Sequence, residues 1–157
     1  EDVFNKYLGA TNVIWLNKGI TGDDTHGHVD DLTRFVNPNT VVTVMESHPN
    51  DPNYIPLMVN REIFEGAKLE DGSGLNIVEL PMPSPVIFKG ERLPASYANF
   101  YISNYVVLVP TFNDVNDRIA LGILSELFTD RPVIGIHAVD LVWGLGTLHC
   151  LTHEQVL

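Results

Sequence analysis

The chain has 157 residues, 45% of them hydrophobic, with 20 acidic and 9 basic side chains and a formal net charge of −11. That length can bury one sizeable core, and no run of about 18 apolar residues is present to cross a membrane as a helix. The acidic balance argues against nucleic acid and anionic membrane as partners and for cations, while a single cysteine excludes an internal disulfide and suits a reducing, cytoplasmic setting.

The chain opens on Glu1-Asp2-Val3-Phe4 and runs into an apparent helix end at Leu8-Gly9-Ala10. Asn12-Val13-Ile14-Trp15-Leu16 is apolar, β-branched and aromatic, which predicts a short buried strand. Asn17 to Thr25 is polar and contains glycine, so it reads as a loop. Asp24 or Thr25 is placed to cap a short helical turn carrying His28, Asp30 and Asp31. Thr33-Arg34-Phe35-Val36 and Thr40-Val41-Val42-Thr43-Val44-Met45 predict two strands, joined as a hairpin by Asn37-Pro38-Asn39.

Glu46 to Asn53 is rich in loop residues, and Pro56 suits the first turn of a helix. Ile55, Val59, Ile63 and Phe64 continue at helical spacing, Gly66 stops the helix, and Gly72-Ser73-Gly74 turns the chain. Asn76-Ile77-Val78-Glu79-Leu80 predicts a strand, and Pro81, Pro83 and Pro85 a stiff irregular loop. Asn99-Phe100-Tyr101-Ile102 and Tyr105-Val106-Val107-Leu108-Val109 predict two further strands around Ser103-Asn104. After the loop from Pro110 to Asn116, Val115, Ile119, Ile123, Leu124 and Leu127 define an amphipathic helix. Arg131-Pro132 ends it, and Val133-Ile134-Gly135-Ile136 is the next strand. Aligning Val41-Val42 with Val106-Val107 superposes two strand–loop–helix–strand segments offset by about 65 residues, an internal repeat. A generic layered α/β fold gives the same pattern.

The chemistry-bearing residues gather in two stretches. The only cysteine lies in Gly144-Leu145-Gly146-Thr147-Leu148-His149-Cys150-Leu151-Thr152, where two glycines let the backbone turn sharply. Far upstream lies Gly22-Asp23-Asp24-Thr25-His26-Gly27-His28-Val29-Asp30-Asp31. A single Cys with a distant His and carboxylates is the composition of a thiol-nucleophile enzyme. The plainer alternative for Cys150 is a small buried hydrophobe. A third alternative is a metal-dependent hydrolase or metal-binding module, because Asp24, His26, His28 and Asp30 alternate and His149, Cys150 and His153 cluster. The residues alone do not separate His26 from His28. Asp23 and Asp24 suit a turn or cap as well as substrate, and Asp31 suits a solvated face. His149, next to the nucleophile, is expected to point away from it. His48, His137 and His153 are read as ordinary residues, and Trp15 and Trp143 as packing, with Trp143 also suited to a pocket mouth.

Four segments carry a resemblance: Gly22 to Asp30, then Leu93-Pro94-Ala95-Ser96-Tyr97-Ala98-Asn99-Phe100-Tyr101, then Val109-Pro110-Thr111-Phe112, and Gly144 to Cys150. In this order and spacing the chain resembles the agmatine deiminase and bacterial (Porphyromonas-type) peptidylarginine deiminase family of the guanidino-modifying pentein superfamily. The resemblance implies an α/β propeller of ββαβ units, here about two to two and a half blades. It implies that residues 1–157 are the C-terminal part of a single catalytic domain, cut close to the family's own end. An N-terminal half, absent here, would supply further carboxylates, and a homo-oligomer is the other partner expected. The isolated piece is expected to be inactive without that half.

The family's roles fall on Cys150 as nucleophile, His28 as general acid/base and Asp30 as a carboxylate that holds the guanidinium. Asn99, Asp24, Gly144 and Gly146 are the further substrate-side candidates. The implied reaction hydrolyses a guanidinium through an amidino-cysteine, with no metal or cofactor. Agmatine, giving N-carbamoylputrescine and ammonia for polyamine synthesis, is the first substrate, and peptidyl-arginine, giving citrulline, the second. An inactive structural fragment with an unreactive Cys150 is the remaining alternative.

Overall fold

Helix α1, Asp2–Leu8, ends on Gly9, whose φ of 68° is the left-handed conformation that a helix C-terminus favours and that glycine adopts without steric cost. The computed structural model describes residues 1–25 and 27–155, so His26 lies outside the described residues.

Two units of the same topology follow. In the first, Thr33–Asn37 (β1) and Thr40–Met45 (β2) pair antiparallel across the Asn-Pro-Asn turn. The chain then crosses back through helix α2, Tyr54–Gly66, and adds Asn76–Pro81 (β3) parallel to β2. β2 is central and covered on both faces, which is why it reads as a nearly continuous β-branched run: Val41, Val42 and Val44 are buried. The second unit repeats the pattern after a short hairpin of Ile87–Phe88 (β4) and Glu91–Arg92 (β5). Tyr101–Ile102 (β6) pairs antiparallel with Val107–Thr111 (β7), helix α3 spans Asp117–Leu127, and Val133–His137 (β8) lies parallel to β7. The protein is therefore α/β with mixed sheets, in the order β1-β2-β3 and β6-β7-β8. α3 packs against β8 and against β3 of the first unit, which joins the two. At Gly135 on β8 an added Cβ would stand 2.9 Å from Thr111 Cγ2 and 3.1 Å from Leu121, so glycine lets α3 come close to the sheet.

Four sequence expectations need correction. Asn12 to Leu16 is not a strand. Trp15 is 63% exposed, with its indole N–H donating to Glu1, and the chain after it is held by side chains of α2 and of the residue just before that helix. Asn60 accepts from the Asn17 amide and Asn53 from the Thr21 amide, so these backbone groups pair with asparagines instead of a ladder. The region after Pro85 is not wholly irregular, because Lys89 (φ 50°) and Gly90 (φ 88°) make the tight turn between β4 and β5. Asn99 precedes β6 and is not part of it. The inward face of α3 is Ala120 and Leu124, one turn apart, followed by Phe128; Ile119 is 52% and Val115 86% exposed. Helical periodicity found the helix and its buried Leu124, with Ile123 and Leu127 partly buried against the core, but it wrongly included Val115 and Ile119 and missed Ala120.

The core runs through both units and includes Leu57, Leu80, Tyr97, Phe100, Leu124 and Val142, all essentially inaccessible. No described helix is long and apolar enough to cross a membrane.

Candidate active site

Three separate backbone segments converge on the thiol. The first is organised by Asp23. Its carboxylate accepts from the Thr25 amide and hydroxyl and from the His28 amide at 2.8 Å, and its Oδ1 lies 2.8 Å from His28 Nδ1. Burial pushes the Asp23 carboxyl up, but the two backbone N–H groups and the histidine outweigh it and leave it below its ordinary value. Asp23, not Asp24 or Thr25, therefore arranges the loop. Gly22 (φ 98°) fixes this loop to the rest of the chain, since any Cβ there would meet the Leu93 carbonyl carbon at 2.8 Å. A 3-10 turn, Val29–Asp31, then aims adjacent carboxylates two ways: Asp30 half-buried at the surface, Asp31 inward and 1% exposed.

The second segment leads into β6. Ser96 Oγ accepts from the Ala98 amide and donates to the Asp31 carbonyl at 2.7 Å, which locks this segment to the 3-10 turn. Asn99 follows, 1% exposed. The third segment follows β8. A 3-10 turn, Leu141–Gly144, ends on Leu145 in the left-handed conformation (φ 65°), and the chain turns again, with the Leu151 amide donating to the Thr147 carbonyl. That turn presents His149 and Cys150 together.

The convergence is tight. Asp30 Oδ2 lies 2.6 Å from His149 Nδ1, 3.0 Å from Asn99 Nδ2 and 3.2 Å from Cys150 Sγ. Asn99 Nδ2 lies 3.1 Å from the same sulfur and 3.0 Å from Asp31 Oδ1. The amide oxygen of Asn99 accepts from the Thr147 amide at 3.0 Å, the Thr147 hydroxyl at 2.9 Å and, more weakly, the Cys150 amide at 3.4 Å. Cys150 itself is exposed. Gly146 makes room for it: a Cβ there would stand 2.6 Å from Sγ.

The electrostatics are uneven. Burial raises the Asp30 carboxyl, but hydrogen bonds from His149 and Cys150 outweigh it and hold it below the usual carboxylate range. Burial pushes Asp31 up to about 8, with the charges of Asp30 and Asp23 adding to the rise, so Asp31 holds its proton at neutral pH; its Oδ2 has no hydrogen-bond partner. Burial also pushes the Cys150 thiol up, opposed by the Asn99 donor and reinforced by Asp30 and Asp31. The half-buried guanidinium of Arg34 donates to the Phe100 carbonyl and lies over the Phe100 ring, within electrostatic reach of Asp30 and Cys150. A groove of about 1010 Å³ opens beside this cluster, lined by Asp30, Arg34 and His149 and by apolar residues that include Phe4, Leu8 and Val13.

Of the sequence candidates, Cys150 and Asp30 come together directly. Asn99 joins them, but from behind, enclosed and with its carboxamide fully engaged by protein groups, so it does not fit the expectation of a substrate contact. His28 pairs with Asp23, its side chain 47% exposed, and Asp24 is exposed with Oδ1 3.9 Å from His28 Nδ1. Gly144 stands in open space and Gly146 against Cys150. The expectation that His149 points away from Cys150 is wrong, because the two sit in a turn, where neighbours do not alternate as they do in a strand. Asp31 is not a solvated face. Among the described residues, Asp23, Asp24 and His28 are the set of metal-ligating side chains with atoms within 4.8 Å of one another; Asp30 lies instead with His149. Trp143 packs on Phe88 with ring centroids 4.3 Å apart. Sequence reasoning missed Thr147 and the role of His149. The glycine-flanked turn was the available signal for the latter.

The chain resembles known proteins over nearly its whole length. Residues 1–155 match the family model described as Porphyromonas-type peptidyl-arginine deiminase. A provisionally named agmatine deiminase of Legionella pneumophila is 36% identical over 156 residues, covering 99% of this chain and 45% of the relative. A crystal structure of a provisionally named arginine deiminase from Porphyromonas gingivalis is 41% identical, with a TM-score of 0.91 over 95% of this chain and 44% of that one. The structure of C. jejuni agmatine deiminase is 32% identical, with a TM-score of 0.87 over 95% of this chain and 44% of that one. The chain thus spans under half the length of the proteins it matches.

Proposed function

The chain belongs to the Porphyromonas-type peptidyl-arginine deiminase family, and from that membership we propose that it forms the thiol-bearing part of an enzyme that hydrolyses a guanidinium group. The observation that carries this reading is the exposed Sγ of the only cysteine, 3.2 Å from a carboxylate 120 residues away in sequence. The two ββαβ units are read as neighbouring blades of a pentein-type propeller, with the remaining length of a full protein completing the ring and adding substrate-binding carboxylates.

In the proposed reaction the Cys150 thiolate attacks the guanidinium carbon and forms a C–S bond. The C–N bond to one amino group breaks, and that nitrogen leaves as ammonia with a proton from a general acid. Water then adds to the amidino-cysteine, the C–S bond breaks, and the ureido product and thiol are released. A thiol raised by burial and two carboxyls needs a positive charge to ionise, and a bound guanidinium supplies it next to Asp30. His28 is the proposed acid and base: Asp23 holds its Nδ1, which leaves Nε2 to meet substrate. Agmatine is the proposed substrate, supported by relatives that carry that name; the family description supports peptidyl-arginine as the second.

The test is ammonia release from agmatine by the full-length parent, before and after iodoacetamide, with the alkylated peptide identified. Activity lost in step with modification of Cys150 is expected. Activity that survives alkylation removes Cys150 as nucleophile, and citrulline formation on an arginine peptide without agmatine turnover changes the substrate. The 157-residue chain alone is expected to turn over nothing until the rest of the protein is added in trans, and unaided turnover would sink that part of the reading.

A further inference from the structure

Asn99 stands out in the cluster because its buried side chain bonds Asp30, Asp31, Thr147 and Cys150. Its two ends have opposite tasks. The oxygen collects the donors of the nucleophile turn, at Thr147 and Cys150, and this fixes which end of the carboxamide is which. The nitrogen is left facing acceptors: Asp30, Asp31 and the sulfur. It has two hydrogens for three acceptors, so the buried Asp31 competes with the reactive pair for one of them. Asp31 in turn is held through its carbonyl by Ser96, on the segment that carries Asn99.

We propose that Asn99 is the positioning residue that aims the Cys150 thiol and favours its thiolate, and that Asp31 is the anchor that fixes Asn99 in its working orientation. Asn99 holds the turn at Thr147 and donates to Sγ from behind, so sulfur geometry and sulfur charge are set by one side chain. A hydrogen bond to sulfur favours the thiolate. A carboxylate in the same place would do the opposite. Asp31 serves as an anchor without cost to the thiolate only while it is neutral, since its charge would face Cys150 across Asn99. The other titratable or charged groups around the sulfur are Asp30 from the 3-10 turn, His149 from the same turn as Cys150, and Arg34 from β1, with Asp23 facing Asp31 and Glu154 facing Arg34. The inference rests on the thiol reading above.

The chain's single cysteine makes the test specific. The rate of iodoacetamide alkylation is followed against pH for the unaltered chain, Asn99→Asp and Asp31→Asn, with circular dichroism to confirm folding. Asn99→Asp keeps the oxygen for Thr147, removes the donor and adds an anion. Its alkylation midpoint is expected to rise by about one pH unit, with a rate about tenfold lower near neutrality. Asp31→Asn keeps the shape and cannot ionise, so its midpoint is expected to fall. A folded Asn99→Asp protein with an unmoved midpoint overturns the proposal. Should Asn99→Asp fail to fold, Asp31→Asn decides: a lower midpoint supports it, an unchanged or higher one overturns it. Alkylation needs no turnover, so these outcomes are independent of whether the parent releases ammonia from any guanidine.

Discussion

Two aspartate–histidine pairs involve the segment that precedes β1, and they are built in opposite ways. Asp23 and His28 are five residues apart, and the carboxylate also holds the backbone of the loop that carries its partner. Asp30 and His149 are 119 residues apart and meet only because both units have folded; the same carboxylate oxygen then faces the thiol. The local pair is self-sufficient, with His28 half in solvent. The remote pair is a product of the whole fold and surrounds the nucleophile. The difference suggests a division of labour in which the remote pair sets the geometry of the attack and the local pair carries protons.

The largest expected effect tests that division. His28→Ala is expected to lower kcat of the full-length parent by about 10²–10⁴-fold, the usual range for a lost general acid/base. His149→Ala removes a bond to Asp30 and is expected to cost about tenfold. Steady-state kinetics on agmatine with both variants decides. A larger loss from His149→Ala would move the proton-transfer role to the remote pair and leave Asp23–His28 as a loop clasp.

The next effect is on stability. Asp23→Ala strands two backbone N–H groups and a hydroxyl and is expected to cost roughly 2–3 kcal/mol, read as a fall in denaturation midpoint. His149→Ala removes one partly exposed partner and is expected to cost less. Equal losses would mean that the local pair is no better organised than the remote one.

The two pairs also differ in legibility. Asp23, His28 and Asp30 lie in one motif-dense stretch, so their chemistry could be read without a fold. The β1–β2 hairpin, both longer helices and the repeat were legible for the same reason: turn residues, proline placement and periodicity are local signals. His149 was not legible, because its partner is 119 residues away and the expectation of alternating directions applied a strand rule to a turn. Asn12 to Leu16 failed differently. It has strand composition, but Asn60 of α2 and Asn53 just before that helix take the backbone groups that follow it, and composition carries no information about such partners. The burial of Asp31 was equally hidden, since nothing in Val-Asp-Asp distinguishes the carboxylate that turns inward from the one that turns out.

That inward turn predicts a pH asymmetry. Asp23 and Asp30 have carboxyls held below their ordinary value, so their contributions are present at neutral pH and are lost as pH falls below about 4. Asp31 has the opposite sign. Its folded value of about 8 lies above its unfolded value near 3.8, so the folded state binds the extra proton. Its contribution is full below the unfolded value and is lost as pH rises towards 8. Thermal melts of Asp31→Asn are expected to remove the decline between about pH 4 and pH 8 and leave the loss below about pH 4 intact. A decline that persists in Asp31→Asn would place its origin outside the buried carboxyl.

The smallest expected effect concerns the turn that brings His149 and Cys150 to Asp30. Leu145 holds φ at 65° between two glycines, neither of which adopts a left-handed angle. For a residue with a branched side chain that conformation costs about 1–2 kcal/mol, and strain of this kind persists only where surrounding contacts over-determine it. Leu145→Gly relieves the strain but gives the unfolded chain more freedom, an opposing term of roughly 0.5–1 kcal/mol. The net is a gain of a few tenths to about 1 kcal/mol, or about 1–3 °C in Tm at this chain length. The alkylation midpoint of Cys150 should not move, because the groups around the sulfur are Asn99, Asp30 and Asp31, and none of them is held by Leu145. A lower Tm would show that the leucine side chain anchors the turn by packing. A shifted midpoint would show that the strained residue, more than Asn99, sets the angle at which the thiol meets the remote pair.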